Sequence, residues 1–149
     1  MNTKILGVAL RAALVVVVLP ALASAGEMVV IVNAANGTAS LTPRAARASF
    51  LKSSPNWKSG ERIRPVDLSG ASPLRSAFLA KVLGMTSEDL ERYWIEKQYV
   101  SAEPPPQKAA DEAAAIKAVK TNQGAIGFVS REALASGDAG VKAVLSVTY

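Results

Sequence analysis

The sequence of 149 residues contains no cysteine and no histidine. Without cysteine there is no disulfide framework, no thiolate nucleophile and no Cys-ligated zinc or iron–sulfur site. Without histidine the chain lacks the usual general base near neutral pH and the commonest metal ligand. Aromatic residues are sparse, at 5%, and only 19% of residues are charged. Half the residues are apolar, so the composition is neither that of a disordered tail nor that of a charge-dense scaffold. The length suits one domain of ordinary size and does not suit two.

Residues 1–25 read as a secretory signal peptide. Lys4 and Arg11 are the only charges there, and the apolar run Ala12 to Leu19 follows them. Pro20 breaks that run, and Ala23-Ser24-Ala25 supplies the small-x-small cleavage site. A membrane anchor is the competing reading, but Ala12 to Gly26 offers only 15 uncharged residues where a spanning helix needs about 20. No cysteine follows the run, which argues against a lipid anchor. Cleavage after Ala25 leaves residues 26–149 as a single domain, and the loss of Lys4 and Arg11 lowers the net charge from +5 to +3. That charge, spread along the chain, is no footprint for nucleic acid. In an oxidising compartment such a chain holds itself together by packing alone.

The mature chain alternates strand and helix signals. Met28 to Val32 is a continuous apolar, β-branched run, the pattern of a buried strand. Thr42-Pro43 predicts a helix running to Leu51, with Ala46 and Phe50 inward. Trp57 anchors the polar loop from Lys52 to Gly60, its ring on the core and its indole N–H bonded. Arg62 to Asp67 alternates like a half-buried strand, with Pro65 placing it at a sheet edge or at a strand end. Ser72-Pro73 opens a helix to about Leu83, inward through Leu74, Phe78 and Val82, and Gly84 ends it. Thr86 begins another, with Leu90, Tyr93 and Trp94 on its buried side and Glu88 and Asp89 in the dipole-favoured first turn. Tyr99-Val100 reads as a brief strand or an exit, and Pro104-Pro105-Pro106 as a stiff crossing. Lys108 to Thr121 is predicted helical. Ala125 to Val129 is a second buried strand in which Gly127 implies close backbone approach. Ser130 caps one helical turn, and Val141 to Val147 forms the last strand. The order argues for α/β architecture with a partly parallel sheet.

The most informative stretch is Val66-Asp-Leu-Ser-Gly-Ala-Ser-Pro-Leu-Arg75. A strand delivers the chain through a Ser/Gly turn into a helix N-terminus, whose unpaired N–H groups and partial positive charge favour an anion. Ser69 and Ser72 add hydroxyls, Gly70 lets backbone come close, and Arg75 supplies a guanidinium fork for an oxyanion. The plainer reading is that Ser72 merely caps the helix and Arg75 lies on its wet face, since most serine caps bind nothing. Glu88, Asp89 and Glu91, like Asp111 and Glu112, sit at helix starts and complement dipoles. Neither group carries the apolar surroundings that would tune a carboxyl for acid–base work. The chain is therefore not expected to be an enzyme, and no cofactor or metal is expected.

Several of these residues occur in an order that resembles the second lobe of the phosphate-binding proteins of ABC transporters. They are Phe50, the Trp57-Lys-Ser-Gly60 turn, the strand Ile63 to Val66, Ser72 at a helix start with Phe78 after it, and Gly124-Ala-Ile-Gly-Phe-Val129. The resemblance runs from about Val29 to Val147. It implies one lobe of a type 2 periplasmic binding protein-like α/β fold, with a mixed, mostly parallel sheet flanked by helices. Ser72 matches the family's phosphate-binding serine. Pro73 and Leu74 stand where the family's Ser-Gly-Thr turn has glycine and threonine, and Leu68 stands near the place of its arginine. The family's first lobe has no counterpart, which leaves an open half-site.

Two functions follow as expectations. The first is an exported, non-enzymatic solute-binding-like protein taking phosphate or a related small anion at Ser69, Gly70, Ser72 and Arg75, with an ABC transporter as a partner. The second is a ligand-free single-lobe interaction module of the cell envelope that self-associates or meets a protein partner through apolar surface.

Overall fold

In a computed structural model, residues 25–135 and 139–149 are described, so the segment expected to be a signal peptide lies outside the described residues except for Ala25. Five strands form one sheet: β1 (Glu27–Asn33), β2 (Arg64–Leu68), β3 (Gln107–Ala109), β4 (Ala125–Ser130) and β5 (Val141–Thr148), in the order β3-β2-β4-β1-β5. β2 pairs parallel with β3 and β4, whereas β1 pairs antiparallel with β4 and β5. Four strands therefore point one way and β1 alone runs against them. Met28 to Val32, at the centre of β1, are all fully buried. A strand covered on both faces needs such an unbroken apolar run.

Among the described residues there are five α-helices: α1 (Pro43–Phe50), α2 (Pro73–Phe78), α3 (Ser87–Ser101), α4 (Glu112–Lys120) and α5 (Arg131–Ala135). Their starts are chemically marked. Thr42 Oγ1 accepts from the N–H of Ala45 at 3.1 Å, with Pro43 in the first turn. Thr86 and Asp89 form a reciprocal capping box, with bonds of 3.1 and 3.3 Å. Asp111 Oδ1 accepts from Ala114 N–H at 2.8 Å. α2 continues into a π-helical turn, Leu79–Leu83, which Gly84 ends in a left-handed conformation.

The alternation along β4 assigns the two faces. Phe128 meets Phe50 of α1 and Phe78 of α2, with ring centroids at 6.0 and 3.8 Å. On the other face, a Cβ on Gly127 would lie 3.1 Å from Val119 of α4, the close approach that the sequence implied. Trp57 fixes the loop before β2: it is 7% exposed and donates its indole N–H to Gly124 O at 3.0 Å.

Two expectations change. Lys108 belongs to β3, and α4 begins only at Glu112, because Gln107 to Ala109 pair with Val66 to Leu68 before the Ala-rich segment starts its helix. Tyr99 and Val100 continue α3 to Ser101, where Ala102 ends it in a left-handed conformation. β2 is an interior strand, flanked by β3 and β4, so of the two places open to Pro65 the strand end is the one it takes. Pro65 fits there because pairing with β3 starts at Val66, so no N–H is demanded from Pro65 on that side.

Candidate functional site

β2 carries Asp67 and Leu68 to the carboxyl end of the parallel strands, and the chain then turns at Ser69-Gly70-Ala71 into the cap of α2. Gly70 takes a left-handed φ of 76°, a conformation costly for residues with a Cβ. Ser69 is tied to β3: its N–H and its hydroxyl both donate to Ala109 O, at 2.8 and 3.0 Å. Ser72 is extended, and its Oγ accepts from Arg75 N–H at 3.1 Å. The turn therefore joins a strand to a helix start as the sequence predicts, with Ser69, Gly70 and Ala71 exposed and Ser72 half-buried.

The guanidinium of Arg75 turns back toward the sheet. Its Nε lies 3.1 and 3.4 Å from the two Asp67 carboxylate oxygens, and its Nη2 donates to Oδ2 at 3.0 Å. The remaining arm, Nη1, donates to Ser87 Oγ at 3.0 Å. Lys108, opposite Asp67 in the register, donates to the same Oδ2, and Leu68 N–H donates to Oδ1 at 2.8 Å. Asp67 is only 5% exposed, and a buried carboxylate is tolerable only when paired and hydrogen-bonded. The fork that sequence reasoning left open to an anion is thus engaged by a residue eight positions earlier. Asp67, Ser87 and Lys108 are the members of this cluster that sequence reasoning missed. Asp67 lay in the stretch already singled out; Lys108 carried no signal while it was assigned to a helix.

Further ion pairs and hydrogen bonds brace the sheet and its connections. Arg131 of α5 holds Glu27 of β1 at 2.9 and 3.1 Å and donates to Ser146 Oγ at 2.7 Å. Glu112 accepts from the N–H and the hydroxyl of Ser130, both at 2.9 Å. Glu103 meets Arg62 and, at 3.4 Å, Lys52. The hydrogen bond from Arg131 holds the Glu27 carboxyl below the usual range, that from Arg62 does so for Glu103, and the Thr86 backbone N–H does so for Asp89. A carboxyl with a lowered folded pKa contributes stability above its unfolded value and loses it as pH falls through the folded one. The thermal midpoint is therefore expected to fall on acidification through and below the ordinary carboxylate range. Circular dichroism melts in the triple variant Glu27→Gln, Asp89→Asn, Glu103→Gln should show a shallower fall.

Among the described residues no group of three or more acidic side chains is placed to hold a metal ion. A cavity of about 740 Å³ lies at the opposite rim, where β1 ends and β2 begins, and is lined by Asn36, Thr38, Ser49, Trp57 and Lys58. A second, of about 350 Å³, lies under α3 beside Asp67, Arg75 and Lys108.

The fold is similar to one lobe of solved substrate-binding proteins of phosphate ABC transporters. It superposes on a protein assigned as a phosphate ABC transporter substrate-binding protein in Clostridium perfringens, solved with bound phosphate, with TM-score 0.62 and 22% identity over 80% of this chain and 44% of that one. An ABC-type phosphate transport receptor from Vibrio cholerae matches with TM-score 0.60 and 24% identity, over 80% and 45% of the two chains. PstS from Borrelia burgdorferi matches with TM-score 0.60 and 13% identity, over 80% and 47%. The chain thus spans less than half the length of these structures, and the likeness is one of fold. No family model matches the sequence. No curated protein matches it either.

Proposed function

We propose that the chain is an exported, non-enzymatic solute-binding-like protein that receives phosphate or a related oxyanion at the turn from Ser69 to Ser72. The carrying observation is that this turn stands at the carboxyl end of β2 and opens α2, in a fold shared with phosphate-binding proteins. In open α/β sheets ligands settle outside the carboxyl ends of the strands. The oxygen of Ser72 is used as a cap, which leaves its hydroxyl proton to donate outward. Gly70 keeps side-chain bulk away from the backbone at the turn. Arg75, held by Asp67 and Ser87, acts in this reading as a fixed positive wall behind the turn and makes no direct fork to the ligand. An ABC transporter is the partner this function calls for.

Titration calorimetry with phosphate, sulfate and acetate tests the reading. Saturable heat is expected with phosphate in the range of about micromolar to millimolar Kd, together with movement of the Gly70, Ala71 and Ser72 amide resonances. Ser72→Ala should weaken binding at least about tenfold, roughly 1.4 kcal/mol, while the chain stays folded. No heat at millimolar phosphate, or a Ser72→Ala variant binding like the parent, would discard it.

A further inference from the structure

The larger cavity lies at the end of the sheet away from the Ser69–Ser72 turn and differs from it in chemistry. Its volume of about 740 Å³ falls within the range of small-molecule sites. Three segments wall it: the loop from Asn36 to Thr42, the α1 residues Ala45, Ala48 and Ser49, and the loop from Ser54 to Ser59. Leu41, Ala45, Ala48, Trp57 and Ile63 supply apolar surface. Thr38, Ser40, Ser54, Asn56 and Ser59 supply hydroxyls and a carboxamide. Among the described residues no carboxylate lines it, and Lys58, exposed to water, is its only charged side chain.

The walls are tied to the core by lining groups that are themselves buried. Asn36 is 5% exposed; its Nδ2 donates to Gln123 O at 3.2 Å and its Oδ1 accepts from Thr38 N–H at 2.9 Å. Lys142 Nζ donates to Asn36 O. The buried Ser49 hydroxyl donates to Ala45 O at 2.9 Å, and the Trp57 indole is spent on Gly124 O at 3.0 Å. The side chains of Thr38, Ser40, Ser54, Asn56 and Ser59, by contrast, make no hydrogen bond to any described residue. Buried lining groups thus hold the frame, while the half-buried and exposed ones keep their bonding capacity for whatever enters.

We propose that this cavity is a second ligand site, for a neutral hydroxylated molecule such as a mono- or disaccharide. Serine and threonine hydroxyls and the asparagine carboxamide both donate and accept, which matches a guest whose own hydroxyls do both. A phosphate or carboxylate only accepts, and here it would meet a single cation screened by water. An ammonium only donates, and it would meet no carboxylate. A sugar ring also carries C–H surface, which Leu41, Trp57 and Ile63 cover. A guest without hydroxyls would shut the lining groups away from water unpaired, so the site rejects it. The site does not depend on the oxyanion reading of the Ser69–Ser72 turn.

Nitrogen-15 NMR of the labelled chain is the assay, with methyl β-glucopyranoside, cellobiose and myo-inositol as probes. At least one is expected to move the Thr38, Ser40 and Ser59 amides saturably, with a Kd below about 10 mM, and to leave Gly70 and Ser72 in place. Cyclohexanol, an apolar ring with a single hydroxyl, and gluconate, a charged relative, should each bind at least about tenfold more weakly. The double variant Asn56→Ala, Ser59→Ala should weaken the responding probe at least about fivefold. Both side chains are exposed, and an unchanged urea midpoint reports that the fold is intact. No saturable shift with any probe at about 50 mM, equal affinity for cyclohexanol or gluconate, or parental affinity in the double variant would overturn the proposal. The oxyanion reading is followed separately in the same spectra, through Gly70 and Ser72 with phosphate.

Discussion

Asp67→Ala is expected to destabilise the chain by about 3–5 kcal/mol, measured by urea unfolding followed by circular dichroism. Removing the carboxylate strips the Arg75 guanidinium of all three contacts it makes to Asp67, while the Arg75 side chain is only 12% exposed. A buried cation left unpaired is more costly than the pair was favourable. Lys108 contributes less to this cost, because its side chain is 49% exposed and water can replace the carboxylate. Two comparisons separate charge from packing. Arg75→Met should be milder than Asp67→Ala, since Lys108 and the Leu68 N–H still satisfy the aspartate. The double variant Asp67→Leu, Arg75→Met should recover much of the loss, because an apolar replacement of a buried pair is often tolerated. A loss below about 1 kcal/mol for Asp67→Ala would mean that water reaches the site freely.

Phe128→Ala carries the other large effect, also about 3–5 kcal/mol. Phe128 is fully buried and lies parallel to Phe78, with centroids 3.8 Å apart, while Phe50 stands edge-on to both. These three are all the phenylalanines of the chain, and they gather where β4, α1 and α2 meet. Deleting the ring opens a void that backbone on three elements would have to collapse to fill. Phe128→Leu should cost less than half as much, since most of the volume remains. An Ala variant with an unchanged urea midpoint would show that the triad is not the packing centre.

These same side chains mark how far the sequence could be read. Three helix starts were legible because capping is local: Thr42, Ser72 and Thr86 each bond a backbone N–H within three residues. The buried strands were legible because β1 and β4 carry unbroken apolar runs. β3 was not, since Gln107-Lys108-Ala109 has no strand pattern and exists only by pairing with β2. The fate of Arg75 was hidden for a related reason. Asp67 lies on an interior strand, where Pro65 to Leu68 are all buried and alternation gives no hint of which side chain needs a counter-charge. The Ser69–Arg75 segment was found by its turn chemistry, but the direction of a guanidinium is decided by what lies beneath it.

The placement of β1 bears on how the molecule acquires its shape. Its neighbours, β4 and β5, are the last two strands of the chain, and Tyr149 N–H closes on Gly26 O at 2.8 Å. The earliest strand therefore stays without partners until nearly all of the polypeptide is present. Loop closure across such a span is entropically dear and slows folding. A chain still being synthesised therefore cannot close its sheet around β1 until β4 and β5 have emerged.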